Sequence, residues 1–168
     1  MASTTLSDGS LARLATVIGR EFLARGQRVV TAESCTGGWI AKALTDIAGS
    51  SEWFEAGIVA YSYQAKQRQL GIKQSMLEAH GAVSREVVRA MAEAALARTI
   101  ATMAVAVSGI AGPGGAQPGK PVGTVWLCWA RRGPKGVQLR TELRHFRGNR
   151  EMVRRKTVRR ALQGLHWR

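Results

Sequence analysis

Apolar residues recur at helical and strand spacing along the whole chain, and the order of these segments predicts an α/β fold. Gly26 ends a first helix, one face of which carries Leu11, Leu14, Ile18 and Phe22. We predict further helices over 38–47, 64–70, 74–80, 84–99 and from 149 onward, and strands over 28–32, 54–63, 102–107, 122–130 and 137–146. Crossover units and a final hairpin, with its turn at 131–136, predict a three-layer α/β/α sandwich whose mixed sheet includes an antiparallel hairpin.

Three candidate features lie at the carboxyl ends of predicted strands, where α/β sheets bind ligands. Ser34 follows the first strand, and the second strand ends near Tyr61 and Lys66. A glycine-rich loop over 108–115 follows the third strand. We therefore expect the functional site where these three segments meet.

Length and composition favour one globular domain over 1–168, with an apolar fraction of 45%. No apolar run reaches the roughly 18 residues of a membrane span. The first residues have neither the basic nor the apolar part of a signal peptide, so we expect a cytoplasmic protein with no membrane partner. Cys35 and Cys128 are far apart and form no C-x-x-C, which disfavours a disulfide framework or a zinc site; Cys128 is expected to be a buried apolar residue.

The net charge of +14 is concentrated near the C-terminus, where residues 131–168 hold 13 Lys and Arg against two Asp and Glu. Such a region suggests an anionic partner, which can be a phosphorylated small molecule, a membrane surface or nucleic acid. It is equally typical of a solvated helix face. No aromatic RNA-binding motif, zinc finger or basic zipper accompanies the charge, so nucleic acid is not expected as a partner.

The segment Thr31-Ala-Glu-Ser-Cys-Thr-Gly-Gly38 places Ser34 where a strand turns into a helix. Free backbone N–H groups and the positive end of the helix dipole meet at such a turn, which suits a nucleophilic hydroxyl with an oxyanion site beside it. The alternative is an ordinary Ser or Thr helix cap. The G-x-S-x-G spacing of α/β-hydrolases is absent.

A nucleophilic serine needs a base, and Lys66 in Tyr61-Ser-Tyr-Gln-Ala-Lys66 is the candidate. None of the three histidines has an Asp partner in a recognisable order. A lysine base must be neutral, and moving its pKa from about 10.4 toward 7–8 corresponds to about 4 kcal/mol. The alternative for a single lysine is a solvated surface charge.

Two further segments can hold an anion. The turn Ser108-Gly-Ile-Ala-Gly112 can bind a phosphate through its N–H groups, or it is a tight connection. The following Gly114–Lys120 resembles a P-loop, but Pro121 replaces the required Ser or Thr and a strand follows, which excludes nucleoside triphosphate hydrolysis. Arg150, predicted in the first turn of the last helix, is either an anion ligand or a surface arginine.

Taken together, the motifs resemble the nicotinamide-nucleotide amidase family, the CinA C-terminal domain type. The matching segments span about residues 10–165 and are Thr31–Gly38, Ala48–Ser51, Tyr61-Ser62 with Ala65-Lys66, His80–Ser84, Ser108–Pro113, Lys120–Trp126 and Phe146–Arg150. Each motif is weak alone, but the ordered set is specific. Tyr63-Gln64 departs from the Asn-Glu common in relatives, which alters the pocket rim and leaves Ser34 and Lys66 intact.

The resemblance implies deamidation of nicotinamide mononucleotide to nicotinate mononucleotide and ammonia, without metal or other cofactor. It implies that Ser34 attacks the carboxamide carbon, that Lys66 accepts the serine proton, and that Tyr61 assists them. The implied substrate-binding residues are Thr31, Glu33, Cys35, Thr36, Gly37, Gly38, Ser108, Gly109, Ala111, Gly112 and Arg150. The resemblance also implies that Arg150 binds substrate or keeps Lys66 neutral by its charge. A homodimer is also implied.

Two other hypotheses stay open from the sequence. A binding module that recognises nucleotides or nucleic acid without turnover would explain the charge, although the intact Ser34, Tyr61, Lys66 and Arg150 argue against it. Alternatively, Cys35 is the nucleophile, although we expect its side chain to point away from Ser34 and pack.

Overall fold

The computed structural model describes residues 6–167, in which five strands form one mixed sheet in the order β2-β1-β3-β4-β5. The strands are β1 (Val29–Glu33), β2 (Phe54–Val59), β3 (Met103–Gly109), β4 (Thr124–Gly133) and β5 (Gly136–His145). β1 is parallel to both β2 and β3, whereas β3, β4 and β5 run antiparallel. The carboxyl ends of β1, β2 and β3 therefore lie at the same edge of the sheet.

Helices cover both faces of the sheet, which confirms the predicted three-layer α/β/α sandwich. They are α1 (Asp8–Ala24), α2 (Trp39–Thr45), α3 (Tyr63–Leu70), α4 (Gln74–His80), α5 (Arg85–Ala97) and α6 (Arg150–Gly164), with a 3₁₀ turn at Ser50–Glu52. One core joins α1, α2 and α6 to Val105 and Val107 of β3. The other joins α3, α4 and α5 to Ala104 and Ala106 of the same strand. Both faces of β3 are thus buried, as expected of a central strand.

The predicted caps of two helices are confirmed. Ser84 Oγ accepts a hydrogen bond from the Val87 N–H, and Asn149 Oδ1 accepts one from the Met152 N–H. Each satisfies a first-turn N–H that the helix leaves without a partner. Because the Asn149 cap fixes where α6 begins, it also fixes the position of Arg150.

Two predicted boundaries are wrong. The strand predicted over 54–63 ends at Val59, because the Ser62 hydroxyl caps a helix that begins at Tyr63. Lys66 lies on α3, within the helix predicted over 64–70. The hairpin turn predicted over 131–136 is shorter, because Gly133 pairs with Gly136 and leaves two residues between the strands. Within residues 6–167, no helix combines the length and apolar character needed to cross a membrane.

Candidate active site

The turn after β1 brings Ser34 to the shared edge of the sheet. The Ser34 N–H donates to the Val107 carbonyl at 3.1 Å, which ties the turn to β3. The Ala60 N–H donates to the Glu33 carbonyl at 2.9 Å, which ties the segment after β2 to the same place. The three segments predicted to meet, which follow β1, β2 and β3, are therefore adjacent.

A buried carboxylate shapes this turn. Glu33 accepts hydrogen bonds from two hydroxyls and three backbone N–H groups, at 2.6–3.2 Å: Thr31, Thr36, Gly38, Ile40 and Ala41. The carboxylate satisfies the first N–H groups of α2 and complements its dipole. The side chains of Thr31, Glu33 and Thr36 are fully buried, and their hydrogen bonds hold the turn in place.

Lys66 reaches the serine from α3. Its Nζ lies 3.0 Å from Ser34 Oγ, 2.7 Å from the Ala60 carbonyl oxygen and 3.2 Å from the Tyr61 carbonyl oxygen. The Lys66 side chain is fully buried, whereas Ser34 keeps 8% of its surface exposed. No ion pair within residues 6–167 includes Lys66.

Burial lowers the pKa of Lys66 from 10.5 to about 8. The sequence left open whether the charge of Arg150 does this, and burial is the cause that the structure supplies. A neutral amine has two N–H donors and one lone pair. The two carbonyl oxygens can take the two N–H groups, which leaves the lone pair to accept the Ser34 O–H. These contacts would allow a neutral Lys66 to accept a proton from the Ser34 hydroxyl.

Cys35 is adjacent to Ser34 but belongs to the core. Its side chain is 5% exposed and packs in the cluster that joins α1, α2 and α6 to the sheet. Burial raises the pKa of the thiol to about 12, so little thiolate exists at neutral pH. This geometry agrees with the expectation that the Cys35 side chain packs in the core. It gives no support to the hypothesis that Cys35 is the nucleophile.

The backbone of the turn still has free donors. The Gly37 N–H donates to the Ser34 carbonyl and the Gly38 N–H to Glu33, so these two are occupied. The N–H groups of Cys35 and Thr36 donate to no protein acceptor within residues 6–167. Free N–H groups next to a nucleophile are the donors that an oxyanion site requires. Of the N–H groups in the turn 34–38, those of Cys35 and Thr36 are therefore the candidates for binding an oxyanion.

Arg150 joins the other two segments of the site. Its guanidinium donates to the Gly112 carbonyl at 2.7 Å and to the Tyr61 hydroxyl at 3.0 Å. Tyr61 is 56% exposed, and it accepts a hydrogen bond from Lys66 through its carbonyl oxygen. Tyr61 and Arg150 therefore form an exposed pair at the rim, beside the buried Ser34 and Lys66.

The loop after β3 offers backbone groups rather than side chains. The buried Ser108 hydroxyl donates to the Ala82 carbonyl at 2.7 Å, and a Cβ on Gly109 would lie 2.6 Å from Val125. In the described part of the chain, the N–H groups of Ala111 and Gly112 donate to no protein acceptor. A phosphate contact by this loop stays a prediction that depends on these N–H groups.

Arg154 is a site residue that the sequence reasoning missed. It donates to the carbonyl oxygens of Cys35 at 3.1 Å and Thr36 at 2.9 Å, and its guanidinium lies 5.2 Å from the centroid of the Trp39 ring. Its position four residues after Arg150, on the same face of α6, is the signal that could have found it. A cavity of about 320 Å³ adjoins this contact and is lined by Asp8, Thr36, Gly37, Gly38, Trp39, Lys42 and Arg154.

The histidines take no part in the arrangement. His80 lies 3.8 Å from Glu86, His145 lies 3.3 Å from the Thr124 hydroxyl, and His166 lies 2.9 Å from Glu21. Within residues 6–167, no three His, Cys, Asp or Glu side chains cluster so as to hold a metal ion.

The chain is similar to known proteins over nearly its whole length. The sequence profile of the family described as CinA C-terminal domain matches residues 11–167. The chain is 49% identical to nicotinamide-nucleotide amidohydrolase PncC of Escherichia coli K12, over 95% of both chains, and 53% identical to the protein of that name from Pseudomonas putida, over 90% of this chain and 92% of that one.

A solved structure gives the same result for the fold. The crystal structure of the competence damage-inducible protein A (ComA) from Klebsiella pneumoniae is 40% identical, has a TM-score of 0.88, and is matched over 94% of this chain and 99% of that one. The fold, the ordered motifs and the sequence profile agree: the chain belongs to the CinA C-terminal domain family.

Proposed function

We propose that this protein is a nicotinamide-nucleotide amidohydrolase, which hydrolyses the carboxamide of nicotinamide mononucleotide to nicotinate mononucleotide and ammonia. Relatives about half identical carry the name of that activity. The observation that carries the proposal is the buried Lys66 amine, 3.0 Å from the Ser34 hydroxyl, with a pKa lowered to about 8. A neutral amine beside a hydroxyl is the requirement of serine–lysine chemistry.

In the first half-reaction, Ser34 Oγ attacks the carboxamide carbon and the Lys66 lone pair takes the hydroxyl proton. The carboxamide oxygen becomes an oxyanion in the tetrahedral intermediate. When this intermediate collapses, the C–N bond breaks and the Lys66 ammonium returns its proton to the leaving nitrogen, which departs as ammonia. The products are free ammonia, neutral Lys66 and a nicotinoyl ester on Ser34.

In the second half-reaction, Lys66 takes a proton from water as the water attacks the ester carbon. The ester C–O bond then breaks, and Lys66 returns the proton to Ser34 Oγ. The product is nicotinate mononucleotide, and the sum of the two halves consumes one water for each amide. One amine serves as base and then as acid in both halves, so its pKa must lie near the working pH.

The N–H groups of Cys35 and Thr36 are the proposed oxyanion donors. The Cys35 carbonyl and the Thr36 N–H belong to one peptide unit, and Arg154 donates to that carbonyl. A cation on the carbonyl oxygen polarises the unit and strengthens its N–H as a donor. Arg154 is therefore proposed as a positioning residue that acts through the peptide.

The substrate is proposed to lie between Ser34 and the rim. Arg150, held by the Gly112 carbonyl and Tyr61, places a fixed positive charge there. The N–H groups of Ala111 and Gly112 are proposed to bind the ribose phosphate, since they have no protein acceptor. Gly37 and Gly38 line the adjoining cavity. A Cβ on Gly38 would lie 3.3 Å from Val59 at the end of β2.

Ammonia release from nicotinamide mononucleotide tests the proposal. We expect Ser34→Ala and Lys66→Ala each to lower kcat/KM by more than about 10³-fold, and the double variant to be no worse than either, because the two groups act as a unit. Cys35→Ser is the matched control. Its kcat/KM should stay within about threefold of the wild-type value, because the thiol only packs.

Absence of ammonia release by the wild-type protein would reject the activity. An active Ser34→Ala variant with an inactive Cys35→Ser variant would reject the assigned nucleophile. The homodimer implied by the resemblance stays a prediction, which sedimentation velocity of the purified protein tests.

A further inference from the structure

A second large cavity, of about 560 Å³, lies between the end of β5 and α6. Five cationic side chains line it: Arg144, Arg147, Lys156, Arg159 and Arg160. We call this cavity the basic groove. It accounts for five of the 13 Lys and Arg residues that crowd residues 131–168.

Most of the positive charge in the basic groove is not neutralised. Glu142 pairs with two of the arginines. Arg160 Nε donates to Glu142 Oε1 at 2.8 Å, and Arg144 pairs with the same carboxylate. The guanidinium groups of Arg147 and Arg159 make no ion pair within residues 6–167, and Lys156 donates to the Arg147 carbonyl at 2.6 Å. Five cations thus share one carboxylate, and mutual repulsion favours a bound anion.

The basic groove is separate from the candidate active site. Lys156, Arg159 and Arg160 recur at helical spacing on α6 and form one stripe. Arg150 and Arg154, which contact the active-site segments, lie on another face of that helix. At about 100° per residue the two sets are roughly 150° apart around the helix axis. One helix therefore presents positive charge to two different places.

The shape of the basic groove favours an extended ligand. Lys156, Arg159 and Arg160 cover about 6 Å along the helix axis, and the uncharged Gln163 extends the lining to about 10 Å. Arg159 and Gln163 also line a neighbouring cavity of about 200 Å³, together with Arg13 of α1, so the positive surface continues across α6. A single phosphate needs donors that converge on one point, whereas these cations are spread along a line.

The lining also argues against recognition of bases. Two neighbouring aromatic residues, His145 and Phe146, line the basic groove, and Phe146 packs against the core of α1, α2 and α6. Proteins that hold single strands stack successive bases on aromatic side chains, whereas cationic side chains make up most of this lining. Phosphate contacts by arginine and lysine require no stacking and no sequence motif.

We propose that the basic groove binds the phosphodiester backbone of double-stranded nucleic acid, without sequence preference. The sequence lacks an aromatic RNA-binding motif, a zinc finger and a basic zipper, and for that reason nucleic acid was not expected as a partner. Those motifs recognise bases, and binding to the phosphodiester backbone does not require them. This inference does not rest on the proposed amidohydrolase activity, because the two sites use different faces of α6.

Fluorescence anisotropy with a labelled 20-base-pair DNA duplex tests this proposal on the full chain. We expect a Kd on the order of 10⁻⁶–10⁻⁴ M near physiological salt and a log–log salt slope of about −3, which corresponds to three or four phosphates. Arg147→Ala and Arg159→Ala should each reduce that slope by about 1. Glu142→Gln, which releases Arg144 and Arg160, should tighten binding several-fold.

Matched control variants distinguish DNA binding in the basic groove from a general effect of the protein's net charge. Arg89→Ala and Glu93→Gln make the same charge changes on the exposed side of α5, on the opposite face of the sheet. Equal effects of Arg89→Ala and Arg159→Ala would overturn the proposal, as would an undetectable Kd. Displacement of the duplex by inorganic tripolyphosphate at an equal molar concentration would show a small-anion site and would also overturn it. Ammonia release by Arg147→Ala and Arg159→Ala should stay at the wild-type rate whichever result is found.

Discussion

At the residue scale, the proposed chemistry depends on a buried lysine that forms no ion pair with an acid within residues 6–167. A charged lysine in the interior is costly unless it is paired, so Lys66 shifts its pKa instead. The carbonyl oxygens of Ala60 and Tyr61 accept its N–H groups and fix where its lone pair points. The motif around Lys66 made it a candidate base, but the sequence could not show its burial, because the residues that cover it come from several elements.

A substitution of Arg154 tests the role proposed for the peptide unit beside Ser34. Arg154→Ala should lower kcat by roughly tenfold to 100-fold with little change in KM, because weaker oxyanion donors act only in the transition state. Arg154→Lys should recover little, since a compact ammonium does not reproduce the planar set of donors that the guanidinium directs at the Cys35 and Thr36 carbonyl oxygens. Added guanidinium ion should partly rescue Arg154→Ala.

Arg155→Ala is the control for this substitution. Arg155 also lies over the Trp39 ring, at 4.8 Å, but it pairs with Asp8 and Glu151 rather than with the turn. The kcat of the Arg155→Ala variant should stay within about twofold of the wild-type value. A raised KM with unchanged kcat in Arg154→Ala would instead make Arg154 a substrate ligand and contradict its role as a positioning residue.

At the element scale, local signals predicted helix starts better than strand ends. Ser84 and Asn149 are caps that act within three residues, so the sequence alone shows them. β-Branched and aromatic residues recur in the segment 54–63 as far as Tyr63, which favoured a strand to its end. The Ser62 cap overrides that preference and starts α3 at Tyr63, one residue before the predicted helix over 64–70 that contains Lys66.

A glycine in α6 shows how packing overrides helix propensity. Gly164→Ala would be expected to stabilise an isolated helix by about 1 kcal/mol. In the structure, a Cβ at Gly164 would overlap the buried ring of Trp129, whose Nε1 donates to the Ala161 carbonyl at 2.9 Å. We therefore expect a loss of about 1–3 kcal/mol in the free energy of unfolding, measured by urea denaturation.

Gly114→Ala is the control, because nothing lies within 4 Å of the Cβ that it would add. Its free energy of unfolding should change by less than about 0.5 kcal/mol. A stabilised Gly164→Ala variant would contradict the close contact between α6 and β4.

At the scale of the whole molecule, the sheet order creates the site. The parallel strands β2, β1 and β3 end at one edge, and this brings together segments about 30 and 75 residues from Ser34 along the chain. Strand and helix order predicted that meeting. The contacts of α6 were not predictable from periodicity: Arg154 reaches Cys35 across 119 residues, and the basic groove forms only when β5 packs beside α6.

The pH dependence of kcat/KM for nicotinamide mononucleotide tests the central claim most directly, because it reports the base of the free enzyme. Lys66 acts only when neutral, so activity must rise with pH. With the pKa lowered to about 8, the neutral fraction and hence kcat/KM should rise about tenfold between pH 7 and pH 9 and then level off. A profile that is flat between pH 7 and pH 9, or that falls with rising pH, would contradict a neutral Lys66 as the base for Ser34.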